Sequence, residues 1–197
     1  MPYTEQSIGE FLAAVGSEDV APAGGTAVAV VGAIGASLCE MACVHSMDGA
    51  ASAAEGSGLA DVRALLGTQR STLMGLARAD ADVVESLFAA DADRTSQSEM
   101  KRAAGIPLAI AERCLTVVDL AVTVTEEGDS DATADARMGA VLAAGALRAS
   151  LLAVRHNLPW IEDRSFVAGT RRRVAELEAA VARSLKDATS DVDATQS

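Results

Sequence analysis

The stretch that most constrains this chain is Ala27 to Met47, a run dominated by Ala, Val, Gly, Ile and Cys. Ala29, Gly32, Ala33 and Ala36 recur at helical spacing. The run therefore reads as a helix with a stripe of small residues that lets another helix come close. It is apolar on nearly every side, so it belongs at the centre of a bundle or of a dimer. Its purest part, Ala27 to Cys39, stops at Glu40 and reads as too short to span a bilayer. Just ahead stands Ala21-Pro22-Ala23-Gly24-Gly25-Thr26. The proline and glycines end one element, and the threonine opens the next. A helix N-terminus presents free N–H groups and the positive end of the dipole. Glycines there let a ligand reach the backbone. Gly24, Gly25 and Thr26 are thus the first candidate binding residues.

Half the chain is apolar, yet aromatic residues make up only 3%. The core must be Ala, Val and Leu. Long Ala/Leu/Glu/Arg segments favour helix, and no stretch alternates convincingly with period 2. The expected fold class is all-α: a bundle of about five to six helices, three of them long, with no sheet. A length of 197 residues suits a single domain, expected over residues 1–187, with 188–197 a disordered tail.

The helices are expected in this order. Ser7-Ile8-Gly9-Glu10 is a capping box that opens a short helix ending at Gly16 and Ser17. The small-residue helix follows, over about Thr26 to Met47. Asp48 to Gly58, rich in Gly, Ala and Ser, reads as a mobile loop. Leu59 to Ala92 is a long amphipathic helix with the stripe Leu59, Val62, Leu66, Leu73, Leu76, Asp80, Val83 and Leu87. Ser96-Gln97-Ser98-Glu99 is a second capping box. Its helix runs to Glu127, with Pro107 kinking it or starting its main part. Leu108, Leu115 and Val122 alternate there with Glu112 and Asp119. After a turn at Gly128 to Asp131, a nearly apolar helix runs from Ala132 to His156. Asn157-Leu158-Pro159-Trp160 breaks it. Asp163 or Ser165 caps a last charged helix ending near Lys186.

Net charge is −12, with 28 acids against 16 bases, and only Lys101 and Lys186 are lysines. A chain so acidic, without a basic patch, is expected to bind neither nucleic acid nor an anionic membrane. Cys39, Cys43 and Cys114 lie in apolar segments and read as buried free thiols of a reducing cytosol. The polar N-terminus carries no signal-peptide pattern, so the expected location is cytoplasmic. Cys39, Cys43 and His45 lack a known zinc spacing, and no metal site is expected. No G-x-S-x-G, Walker or Rossmann pattern occurs.

The informative residues are acids in apolar places. Asp80 sits on a core stripe between Leu73 and Leu87, whereas Asp82 points about 160° away and is solvated. A buried acid is costly unless it is paired or functional. An ion pair to Arg148 or Arg113 is one reading, and a catalytic role is the other. Glu112 and Asp119 carry the same two readings. Asp135, in a first helical turn, is ordinarily a dipole-stabilising residue.

Together these segments resemble the cyclodeaminase/cyclohydrolase family, from about Ser7 to Lys186. Ser7-Ile8-Gly9-Glu10-Phe11-Leu12 is similar to its first helix, and Ala21 to Ala27 to its proline–triple-glycine–serine motif. Leu38 to Ser46 resembles a segment that ends in Thr in relatives. Asp80-Ala81-Asp82-Val83-Val84 falls where relatives have Asp followed by an Ala–aromatic pair. Ile106-Pro107-Leu108 matches a Val-Pro-Leu helix. Ala134-Asp135 and Asn157-Leu158 fall where relatives carry Ser-Asp and Asn-Leu. Ala23 and Thr26 depart from the motif's first glycine and its serine. A methyl at Ala23 would restrict the backbone if that position needed positive φ. The loop after Ser46 lacks the lysines often found there.

The resemblance implies an all-helical homodimer that binds a tetrahydrofolate derivative as its substrate and uses no metal or cofactor. It implies Asp80 and Asp135 as catalytic groups, and Gly24, Gly25, Thr26, Ser46, Glu112 and Asn157 as substrate-binding. The expected activity is methenyltetrahydrofolate cyclohydrolase. The alternatives are formiminotetrahydrofolate cyclodeaminase and a non-catalytic helical dimer that binds folate or a partner. In one straight helix Asp135 and Asn157 would lie roughly 33 Å apart. They therefore cannot serve one reacting carbon within one subunit, and Asn157 is the one expected to be a helix-end hydrogen-bonder or binder.

Overall fold

The helices begin where the chain supplies its own caps. Ser7 Oγ accepts the Glu10 N–H, and the Glu10 carboxylate accepts the Ser7 N–H at 2.8 Å, which opens α1 (Ile8–Val15). Ser96 and Glu99 repeat the arrangement at the start of α4 (Gln97–Glu127). Between them lie α2 (Gly24–Gly49) and α3 (Ala53–Ala89). Then come α5 (Thr133–Asn157), a 3-10 turn at Leu158–Trp160, and α6 (Arg164–Thr189). Asp163 caps α6 by accepting the Ser165 and Phe166 N–H groups. The computed structural model describes residues 5–49, 53–89, 96–129 and 132–190. Among these there is no strand, so the chain is all-α as expected.

Helices α2 to α5 form an up–down bundle. Thr26 meets Asp80 and Glu40 meets Arg70, so α2 and α3 run antiparallel. Ser86 meets Glu99, so α3 and α4 do too. Helix α6 packs on α4 and α5. The tightest crossing joins α2 to α5. A Cβ placed on Gly35 would fall 2.7 Å from the Gly139 carbonyl oxygen, and one on Gly139 would fall 2.7 Å from Cys39 Sγ. The two backbones touch there, with Ala143 against Gly35 and Cys39 against Gly139, whereas the buried Ala29, Ala33 and Ala36 lie on the face of α2 that carries Thr26 and Glu40 toward α3. The core is as poor in aromatics as the composition requires. Its largest fully buried side chains are aliphatic, such as Leu66, Leu73, Ile110 and Leu147. All three cysteines are buried free thiols, and burial pushes Cys39 and Cys114 up to about 12.

Four expectations are corrected. The loop expected at Asp48 to Gly58 is mostly helix: α2 continues to Gly49 and α3 starts at Ala53. Ala and Glu in Ala53 to Glu55 outweigh the glycines that suggested a loop. Residues 50–52 lie outside the described residues. Helix α6 continues through Thr189 with Ala188 buried, so the tail does not begin at 188; residues 191–197 lie outside the described residues. On α4 the core face is Pro107, Ile110, Ala111, Cys114, Val117, Val118 and Ala121. Leu108, Leu115 and Val122 flank it half-buried, and Asp119 is exposed, because small residues serve a tight seam better than leucines. Finally, length does not exclude a membrane span. Gly24–Asp48 and Thr133–Trp160 are long and apolar enough to cross a bilayer by length and composition, with mean hydropathies of 2.0 and 1.4. Here they pack against each other and against α4.

Candidate active site

The α2 N-terminus is short of a cap. The Ala23 carbonyl accepts the Ala27 N–H, so Ala23 holds the N-cap position. It has no side-chain oxygen to offer the first-turn donors. Asp80, from α3, supplies one instead. Thr26 Oγ1 donates to Asp80 Oδ2 at 2.9 Å, and the Thr26 backbone N–H also favours the charged form of that carboxylate. Thr26 is fully buried and Asp80 is 7% exposed. Burial pushes the Asp80 carboxyl above its ordinary value, and the Thr26 hydroxyl and backbone N–H pull it part of the way back. The ion pair to Arg148 or Arg113 is absent among the described residues.

Gly25 makes room for this carboxylate. A Cβ there would lie 2.6 Å from Asp80 Cγ and 2.7 Å from Oδ2. The reason is space, since no described glycine has positive φ. The concern over Ala23 falls with it, because the turn needs no left-handed residue. Around a Cβ on Gly24 nothing lies within 4 Å, so the approach to the first turn is open. Beside it an apolar groove of about 340 Å³ runs between α1 and α2, lined by Phe11, Leu12, Val15, Val30, Val31 and Ile34 among others.

The remaining predicted site residues lie elsewhere. Ser46 Oγ accepts the Asp129 N–H at 2.9 Å and so fixes the start of the α4–α5 turn. It is twenty residues along α2 from Thr26, roughly 30 Å at 1.5 Å per residue. Asp135 is half-buried in the first turn of α5. The Cys39–Ala136 contact sets it level with the second half of α2, roughly 20 Å from Thr26. Glu112 is engaged by Arg173 of α6 at 2.7 Å. Asn157 Nδ2 donates to the Ala103 carbonyl at 2.7 Å. That carbonyl is the one Pro107 leaves without its helical N–H donor. Asn157 thus replaces a hydrogen bond that Pro107 removes. Only Gly25, Thr26 and Asp80 are brought together in one chain, with Gly24 at their entrance.

Ser150 and Gln69, absent from the expected site residues, are 1% and 7% exposed and keep a side-chain oxygen without a partner among the described residues. The signal was a polar residue in an apolar register, as for Asp80. Among the described residues no three His, Cys, Asp or Glu side chains gather as metal ligands would.

The sequence pattern of the formiminotransferase-cyclodeaminase family matches residues 7–176. The chain belongs to this family. It is similar to the methenyltetrahydrofolate cyclohydrolase of Methylorubrum extorquens, 29% identical over 90% of this chain and 89% of that one. The crystal structure of formiminotetrahydrofolate cyclodeaminase from Thermotoga maritima has the same fold. It superposes with a TM-score of 0.90 over 97% of this chain and 98% of that one, at 21% identity.

Proposed function

We propose that this chain is a methenyltetrahydrofolate cyclohydrolase, opening the 5,10-methenyl bridge to 10-formyltetrahydrofolate, with Asp80 as its base. The observation that carries this is a buried carboxylate without a cationic partner among the described residues, at an open helix N-terminus. The substrate is an amidinium cation, so an unpaired buried carboxylate complements it. Asp80 takes a proton from water as the oxygen adds to the bridging carbon, then returns it to N5 as the carbon–N5 bond breaks. The hydroxyl proton of the adduct leaves to solvent as the formyl C=O forms, so each turnover releases one proton. Thr26 aims the carboxylate, and the free first-turn N–H groups of Gly24 and Gly25 hold a substrate oxygen. The similarity to the Methylorubrum protein supports this reaction over ammonia release, since the Thermotoga likeness speaks for fold alone.

The working unit is a homodimer. Val31, Ile34 and Met41 of α2 are 36%, 49% and 38% exposed, and Met138 and Val141 of α5 are 51% and 52% exposed. A neighbouring apolar face of this kind marks an interface. Asp135 lies on the same side of α5 as Met138, three residues on. A two-fold axis crossing α2 near Ile34 swaps the bundle's ends. It carries the partner's Ser46 and Asp135 toward Asp80, the encounter that one chain alone forbids.

The test is turnover of 5,10-methenyltetrahydrofolate, followed by loss of methenyl absorbance and by the formyl product. Asp80→Asn should lose about 100- to 10,000-fold in kcat while the melting temperature holds or rises, because a buried charge is removed. Activity should survive dialysis against a chelator. An Asp80→Asn protein with full turnover sinks the assignment. Ammonia release from the formimino compound, with the methenyl compound untouched, would give the reaction to the cyclodeaminase instead.

A further inference from the structure

The charge of this chain is unevenly placed. Against a net −12, residues 164–175 hold Arg164, Arg171, Arg172 and Arg173 and no acid. Arg172 and Arg173 are paired with Glu176, and Arg173 also with Glu112. Arg164 and Arg171 are exposed and form no ion pair among the described residues. Both line a trough made of two adjoining hollows, of about 290 and 300 Å³, which share Leu158 and Arg171. Arg155 of α5 stands on the far wall, bonded to Glu178 at 2.6 Å. The floor is apolar, with Leu158, Ile161 and Val174 buried, and no acidic side chain among the described residues lines either hollow.

We infer that this trough docks a short, extended, acidic segment of a partner protein, with an apolar side chain on the floor and carboxylates on Arg164 and Arg171. The two arginines are seven residues apart on one side of α6, about 10.5 Å along its axis. In a polyproline-II segment, positions i and i+3 share a side at about 9.3 Å. Two acids three positions apart therefore match the pair of guanidiniums, and one of the two residues between them reaches Leu158. The charge complementarity is local. The negative field of the whole chain repels a long polyanion such as nucleic acid, whereas a segment of a few residues meets only the trough. An apolar floor also offers nothing to a small inorganic anion. The trough lies between α5 and α6, away from the α2–α3 pairing that holds Asp80, so the two surfaces can be tested separately.

The experiment pans a library of random twelve-residue peptides on phage against the whole protein and against the Arg164→Glu/Arg171→Glu variant. Both arginines are exposed, so that variant should keep its melting temperature and its turnover of the methenyl substrate. Enriched peptides should carry acids three positions apart around an apolar residue. Their fluorescein-labelled synthetic forms should bind the wild type roughly tenfold more tightly than Arg164→Ala/Arg171→Ala. Binding should also weaken in high salt. The inference is overturned if no acidic peptide is enriched, if the selected peptides bind the alanine variant equally well, or if only oligonucleotides or anionic vesicles bind at these arginines.

Discussion

At the scale of single residues the site is a capping problem solved from a distance. Ala23 cannot cap α2, so a carboxylate from α3 does, at the cost of burying itself. That cost has a sign. The folded-state value of Asp80 lies above its ordinary 3.8, so the native protein binds this proton more tightly than the unfolded chain does. Ionised Asp80 therefore destabilises the fold above its folded-state pKa. The penalty is relieved as pH falls through that value toward the ordinary one. Thr26→Val removes a bond that favours the charged form, so the acidic limb of kcat/KM should move to higher pH, while Thr26→Ser should leave it in place. A pH–rate profile in which both variants match the wild type would separate Thr26 from the reaction. Gly25→Ala should cost about 1–3 kcal/mol in chemical denaturation through overpacking on the carboxylate. Gly24→Ala, facing open space, should stay within about 0.5 kcal/mol. Asp80 was legible in the chain because an acid sat in a leucine register. Its partner was not, since nothing in a linear pattern says which of two arginines or one threonine reaches it across a helix pair.

At the scale of elements, capping chemistry made both ends of the reading reliable. Ser7/Glu10, Ser96/Glu99 and Asp163 start helices where their side chains stop free N–H groups from going unmet. The breaks were less legible. Gly and Ser near residue 56 suggest a loop, yet α3 already starts at Ala53, where Ala and Glu favour helix. The periodicity on α4 points to Leu108, Leu115 and Val122, whereas the buried face is Pro107, Ile110, Ala111, Cys114, Val117, Val118 and Ala121. Helix α4 also contains a dependency that spacing could not show. Pro107 frees the Ala103 carbonyl, and Asn157, fifty residues later, takes it. Asn157→Ala should cost about 1–3 kcal/mol by leaving that carbonyl unmet. In a Pro107→Ala background the helix regains its own donor, so the same change should cost less. A double-mutant cycle measured by urea denaturation should give a coupling of about 0.5–3 kcal/mol. Additive losses would mean that the Asn157 bond is incidental.

At the scale of the whole molecule, the antiparallel bundle sorts the predicted residues into two ends, with Gly24, Gly25, Thr26 and Asp80 at one and Ser46 and Asp135 at the other. The family motifs were visible in the sequence; this separation was not, because linear order says nothing about level along a bundle. If two copies join the ends, mixing Asp80→Asn and Asp135→Asn subunits rebuilds one intact site per mixed dimer. Equal mixing with free exchange should then recover about a quarter of wild-type activity from two inactive parents. No recovery, with mixed dimers demonstrated, would mean that each chain works alone. The bare contact of Gly35 with Gly139 bears on all of this. It pins α2 to α5 at one level, and every distance to the Asp80 end is then counted from that pin in whole residues. The ten positions from Gly25 to Gly35 form a ruler. Side chains along it can change as long as they stay small, but one added or deleted residue would turn Gly25 about 100° away from Asp80. Across its homologues, the length of this segment should prove less free to vary than its letters.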